Sequence, residues 1–187
     1  SLDRAGVRGV RIQFGVGRAP VEENEIAPLA RRIAPLGWHL QFNLLPDQLV
    51  RLENQIAALP VPVMIDHLGR AIDTVSPHYK AVRRLLDTGH GWVKLSGAYL
   101  FGDKGPPDYA DASSAARAYL AAAPERCVWG SDWPHPDASS GRVAMPDDAV
   151  LLNLLAAWAP DPVLRHRLLV ENPEAFYGFD PGRRPKA

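Results

Sequence analysis

Five times along this chain a short segment dense in apolar and β-branched residues is followed by a longer one whose apolar residues recur at helical spacing. Residues 7–14 (VRGVRIQF) precede Ile26, Leu29, Ile33 and Leu36, and residues 38–43 (WHLQFN) precede Leu45, Leu49, Leu52, Ile56 and Leu59. Residues 61–67 (VPVMIDH) precede Tyr79, Val82, Leu85 and Leu86. Residues 92–96 (WVKLS) precede the alanine-rich 110–123, and residues 127–132 (CVWGSD) precede 149–158. Spacings of three and four place the apolar residues of each longer segment on one stripe, as a helix packed on a sheet requires. Strand and helix in alternation mean an α/β protein with a parallel sheet, because parallel neighbours need a crossover between them. Two short helices close the chain. Asp161-Pro162 and Asn172-Pro173 each place a capping side chain before a first-turn proline, and Gly178 is the expected stop.

In open and closed α/β sheets alike, chemistry sits where strands end and loops begin. The strand ends here read Arg11-x-Gln13, His39-x-Gln41-x-Asn43, Ile65-x-His67, Lys94-x-Ser96 and Gly130-x-Asp132. Alternate residues of a strand share a face, so a barrel would gather these polar groups at its C-terminal mouth. The nucleotide-binding glycine motifs do not follow the first strand, and the sequence contains no Gly-x-Ser-x-Gly, His-x-His or His-Glu-x-x-His.

Charge narrows the partners. Lysine and arginine number 21, aspartate and glutamate 21, for a net charge of zero, which gives no footing for nucleic acid or an anionic membrane surface. No apolar run approaches the ~20 residues of a membrane span, and the first residues lack a signal-peptide layout. The lone Cys127 excludes internal disulfides and multi-cysteine metal sites and fits a cytoplasmic location. A length of 187 residues reads as one domain covering 1–187, and its 18 prolines punctuate rather than cluster.

Each polar strand end has two readings. Asp132 is either a turn cap or a general base or metal ligand. His67 either bonds backbone at a strand terminus or acts as a polarising imidazole or ligand. Asp66, on the opposite face of its strand, reads as structural. Arg11 and Arg70 are solvated cations, or forks for a substrate carboxylate.

These segments, in order, resemble a known family: Ala5-Gly-Val-Arg-Gly-Val-Arg11, Trp38-His-Leu-Gln41, Val63-Met-Ile-Asp-His67-Leu-Gly-Arg70, Val93-Lys-Leu-Ser-Gly97, Trp129-Gly-Ser-Asp132-Trp-Pro-His135 and Glu171-Asn-Pro-Glu-Ala-Phe-Tyr-Gly-Phe179. The set is similar to the amidohydrolase superfamily, and within it to the 2-pyrone-4,6-dicarboxylate lactonase-like TIM-barrel hydrolases. The resemblance implies a (β/α)8 barrel of which about five C-terminal βα units are present, the strand ending His-x-His lying upstream. It implies hydrolysis of a lactone or related carboxylic ester. Asp132 would activate water, His67 would polarise the carbonyl, Arg11 and Arg70 would hold substrate carboxylates, and Gln41 and His135 would line the pocket. The cofactor stays open between none and a divalent metal such as zinc held by His67 and Asp132. Where dicarboxylate-binding relatives carry an arginine after the Val-Lys-Leu-Ser-Gly-Ala segment, this chain has Tyr99-Leu100-Phe101, which favours a less charged or different substrate.

Two alternatives accompany this reading: a metal-dependent decarboxylase of the same superfamily, and an inactive fragment lacking half its site. The isolated chain is expected to have little activity and, with two open sheet edges, to self-associate.

Overall fold

A computed structural model describes residues 2–14, 21–71 and 73–179. The strands are β1 (Gly9–Gln13), β2 (His39–Asn43), β3 (Val63–Ile65), β4 (Gly91–Leu95) and β5 (Cys127–Trp129). They form one parallel sheet in chain order, β1-β2-β3-β4-β5. The helices are α1 (Glu23–Ile33), α2 (Pro46–Ala57), α3 (Pro77–Asp87), α4 (Ala110–Ala122), α5 (Pro136–Ser139), α6 (Asp148–Trp158), α7 (Pro162–His166) and α8 (Asn172–Tyr177). Among the described residues no helix is long and apolar enough to cross a membrane.

The sheet's two faces separate cleanly in the register. Ile12, Phe42, Ile65, Val93 and Cys127 stand side by side across all five strands. Each is at most 1% exposed, and all join one core with the helical stripes. On α2 the stripe is Leu49, Leu52 and Ile56, with side chains buried to 2% exposure or less, each contributing about 1.5–3 kcal/mol of burial. Polar ends start the helices. Ser76 Oγ accepts from Tyr79 N at 3.3 Å to open α3, Asp147 Oδ1 accepts from Ala149 N at 2.7 Å to open α6, and Asp161 Oδ1 accepts from Val163 N at 2.9 Å to open α7.

Asn172 does something else. The helical path runs through it from Arg167–Glu171. Its buried amide donates to the carbonyls of Pro124 at 2.7 Å and Cys127 at 2.6 Å, pinning α8 to the start of β5. Gly178 ends α8 at φ 67°, the left-handed stop the sequence suggests.

The other face carries Arg11, Gln41, Met64 and Trp92 in register. Toward the N-terminal ends of the strands it is covered by α8. Phe176 sits 4.5 Å from the His39 ring and 5.0 Å from Trp92, with Tyr177 5.4 Å from His39 (ring centroids).

Burial in this aromatic nest, reinforced by the positive charge of Lys94, lowers the His39 pKa from 6.5 to about 4. The unfolded chain therefore takes up a proton between pH 6.5 and 4 that the folded chain refuses. The stability His39 contributes is complete above pH 6.5 and is lost as pH falls through that window. Discounted for solvent at the ring edge, the loss is about 2 kcal/mol. Thermal melts at pH 7 and 4.5 are expected to show the wild type losing about 4–8 °C more than His39→Phe; equal losses would show that His39 is not the group responsible.

Candidate active site

At the C-terminal end of the sheet, the β3 and β5 strands run into loops with unusual backbone. His67, Leu68, Gly69 and Arg70 take φ of 52°, 58°, 62° and 55° in succession, and Asp132 and His135 take 67° and 56°. Side chains other than glycine pay about 1–2 kcal/mol for the left-handed region. Such strain persists where surrounding structure imposes it, and it clusters at functional sites. Of the six non-glycine residues with positive φ in the described chain, four are His67, Arg70, Asp132 and His135, all singled out from the sequence.

The left-handed turn also explains a departure from the expected geometry. Ile65 belongs to the helix-side core, so alternation alone would send His67 the same way and Asp66 into the site. Asp66 does face the site, contrary to its expected place on the opposite face. His67 reaches it as well because its positive φ breaks the alternation. Both line a cavity of about 340 Å³ together with Arg11, Gln41, Lys94, Ser96, Asp132 and residues of the β5 loop.

Asp66 organises the cavity floor. Its carboxylate is completely buried and accepts from Arg11 Nε at 2.8 Å and from Gln41 Nε2 at 2.9 and 3.0 Å, with Lys94 Nζ at 3.5 Å. Three strands, β1, β2 and β4, thus deliver donors to one carboxylate at the end of β3. Arg11 and Lys94 share this single counter-charge, and the Arg11 side chain remains 44% exposed. The floor keeps one positive charge in excess, a match for one anionic group.

Above it sit the imidazole and the second carboxylate. His67 Nδ1 lies 3.0 Å from Ser96 Oγ, while Nε2 lies 3.5 Å from Arg11 Nη2 and 3.8 Å from Asp132 Oδ1. Burial lowers the His67 pKa against the pull of Asp66 and Asp132, which favours the neutral ring. Gly97 makes this placement possible. At φ 65° it needs no side chain, and a Cβ there would sit 2.8 Å from His67 Nδ1. Asp132 Oδ2 accepts a 2.8 Å hydrogen bond from the Tyr99 hydroxyl, leaving Oδ1 toward His67.

A divalent ion would find His67 Nε2 and Asp132 Oδ1 as its donors. A 3.8 Å separation is one that two ligands of a zinc ion, each at ~2 Å, can span. No group of three or more potential metal-ligating residues occurs among the described residues. These two fit as part of a coordination shell, and a bound ion would supply Lewis acidity and an activated water there.

The cavity therefore brings together Asp132, His67, Arg11 and Gln41. His135 and Arg70 stand back from its described wall. His135 lies behind Tyr99, with Nδ1 3.3 Å from the Tyr99 oxygen. The Nε of Arg70 is buried with no hydrogen-bond partner among the described residues. Sequence reasoning assigns Tyr99 and Tyr177 no role, Lys94 and Ser96 only a place at a polar strand end, and Asp66 a structural part. Lys94 and Ser96, alternate polar residues ending an otherwise apolar segment, are the local signal among them.

Comparison with known proteins follows the same lines. A family profile described as Amidohydrolase matches residues 1–179. The chain is similar to a 4-sulfomuconolactone hydrolase of Rhizobium radiobacter, 37% identical over 95% of this chain and 60% of the relative. It is also similar to a D-galactarolactone isomerase of Agrobacterium fabrum, 38% identical over 96% of this chain and 62% of the relative. An apo crystal structure from Agrobacterium tumefaciens superposes with a TM-score of 0.84 at 34% identity, over 96% of this chain and 64% of that one. The chain thus spans about three fifths of the length of these curated relatives.

Proposed function

This chain belongs to the amidohydrolase family, and from that premise we propose that the full-length protein hydrolyses a lactone bearing an anionic group, with Asp132 as the base. The observation that carries the reading is the pairing of Asp132 Oδ1 with His67 Nε2 at 3.8 Å, over a floor where Arg11 and Lys94 exceed Asp66 by one charge. Asp132 Oδ1 takes a proton from water as the water oxygen bonds to the lactone carbonyl carbon. The displaced electron pair moves to the carbonyl oxygen, where neutral His67 and the neighbouring cations stabilise it. Collapse of this intermediate breaks the ring C–O bond, and protonated Asp132 returns its proton to the departing alkoxide. The product is an open-chain hydroxy acid. Arg11, held by Asp66, anchors the substrate's anionic group, with Gln41 beside it. Burial first, and then the charges of Arg11 and Arg70, lower the His67 pKa, so Arg70 in this reading helps keep that ring neutral.

The likeness to a galactarolactone isomerase favours a second reading at the same site. There Asp132 deprotonates a hydroxyl of the substrate in place of water, and the ring re-forms at another position. Incubating the full-length protein with a carboxylated five-membered lactone and following product mass separates the two, since hydrolysis adds one water and isomerisation adds none. Absence of both products across a panel of such lactones would overturn the proposal.

We place the protein in the cytoplasm, consistent with its single buried cysteine. We also propose that the isolated 187-residue chain self-associates through β1 and β5, the edge strands of the sheet. Light scattering across concentration at pH 7 is expected to show a growing mass; a stable monomer would refute this.

A further inference from the structure

Tyr99 follows the end of β4, in the short helical turn Ala98–Leu100, and the mechanism above gives it nothing to do. Its hydroxyl nonetheless makes the only hydrogen bond that any described side chain donates to Asp132. The ring is held in turn. His135 packs edge-on against it at 5.3 Å between centroids, its Nδ1 is 3.3 Å from the Tyr99 oxygen, and its Nε2 is 3.0 Å from Asp148 Oδ1. Asp148 lies in the first turn of α6 with its side chain 59% exposed, whereas the His135 side chain is 4% exposed. An unbroken series of polar contacts thus leads from the surface through a buried imidazole and a phenol to one oxygen of the carboxylate at the mouth.

We infer that Tyr99 is a positioning residue for the proposed reaction, its hydroxyl occupying Asp132 Oδ2 so that Oδ1 alone is presented to water and to His67, and that His135 acts through Tyr99 rather than on the substrate. This inference rests on the reading of Asp132 as base and adds the means by which that base is aimed. A carboxylate has two equivalent oxygens and rotates about its terminal bond. Asp132 sits on a left-handed backbone in a loop, so its own main chain does not select which oxygen faces the cavity. A donor on one oxygen does. Tyr99 is suited to this because its hydroxyl, 2.8 Å from Asp132 Oδ2, is an uncharged donor on a ring that His135 holds edge-on. The helix-side end of the series explains why His135 is buried yet stands back from the cavity wall.

The test is steady-state kinetics of the full-length protein on a carboxylated lactone, with Tyr99→Phe, His135→Asn, their double variant and Asp132→Asn, alongside crystal structures of the wild type and Tyr99→Phe. Asparagine is chosen at 135 because it tolerates the left-handed backbone there. Tyr99→Phe is expected to lower kcat about 10-fold to 100-fold, the range of one charge-assisted hydrogen bond, with KM within about twofold. His135→Asn is expected to lower kcat without raising KM, and the double variant to be no worse than Tyr99→Phe alone, as residues in one series should behave. In the Tyr99→Phe crystal structure the Asp132 carboxylate is expected to rotate away from its wild-type orientation. Wild-type kcat in Tyr99→Phe, or a raised KM in His135→Asn, would overturn the inference while leaving Asp132 as base. Full activity in Asp132→Asn would instead overturn the reading of the base. If no lactone turns over, the crystal structures decide, since an unmoved carboxylate in Tyr99→Phe removes the positioning role.

Discussion

Replacing Asp132 with asparagine in the full-length protein is expected to lower kcat about a thousandfold while leaving KM within a few-fold. A positioned general base contributes ~10²–10⁴ in rate, and the amide cannot take a proton from water. The substitution is nearly isosteric. The asparagine side-chain oxygen can still accept from Tyr99, whose bond to the carboxylate measures 2.8 Å, and asparagine tolerates the φ of 67° found at this position. The variant should therefore melt within about 2 °C of the wild type, since a ΔΔG near 0.5 kcal/mol moves Tm by that order in a chain of this size. Rate loss without stability loss distinguishes a chemical role from the alternative reading of Asp132 as a turn cap. If the variant retains more than about a tenth of the wild-type kcat, below even the lower figure for a base, water is activated elsewhere.

Asp66→Asn is expected to damage both affinity and stability. The carboxylate is fully buried and is the shared partner of Arg11, Gln41 and Lys94. An amide in its place presents one acceptor oxygen, and its NH2 faces donors. Removing one partner of a buried ion pair costs ~3–5 kcal/mol. Here the Arg11 and Lys94 side chains keep 44% and 20% of their exposure, so water relieves part of the cost and about 2–3 kcal/mol is the expected loss. That corresponds to about 4–12 °C in Tm. Arg11, released from its anchor, should also hold the substrate's anionic group less well, raising KM about tenfold, the effect of ~1.4 kcal/mol. Urea titration and saturation kinetics read the two effects separately. Unchanged KM with lowered stability would make Asp66 a strand tie alone; both unchanged would remove it from the site.

The contrast between Asp66 and Asp132 shows where sequence reasoning reached and where it stopped. The place of Asp132 at the cavity is legible because it follows a short apolar strand, Cys127–Trp129, in a motif rich in turn formers, at the end of the sheet where α/β proteins keep their chemistry. Asp66 carries no local mark of the face it takes. Parallel strands are apolar on both sides, so Met64 and Ile65 offer no polarity contrast from which to choose. Both are buried, one toward the cavity side and one toward the helices. The neighbouring His67 reaches the cavity through a left-handed turn that three non-glycine residues enter, a conformation no local propensity favours. Asn172 looks like a cap because Asn-Pro starts helices, yet its amide is claimed by two carbonyls 45 and 48 residues earlier in the chain.

What the sequence by itself determined is local and periodic. The number and order of strands, the apolar stripes of the helices, the cap at Asp161 and the stop at Gly178 each follow from residues within a turn or two of one another. The chain-order sheet does not follow from that pattern alone, since right-handed crossovers also build doubly wound sheets of other orders; it follows from the barrel that the family resemblance implies. What only the tertiary structure decided are the contacts between elements remote in sequence. Arg11 meets Asp66 across 55 residues, Tyr99 meets Asp132 across 33, and His39 is enclosed by Phe176 from the last helix. Such pairings depend on which loop turns which way at the sheet's end. That is settled by packing and by the burial of polar groups that must find partners, neither of which leaves a mark in residue spacing.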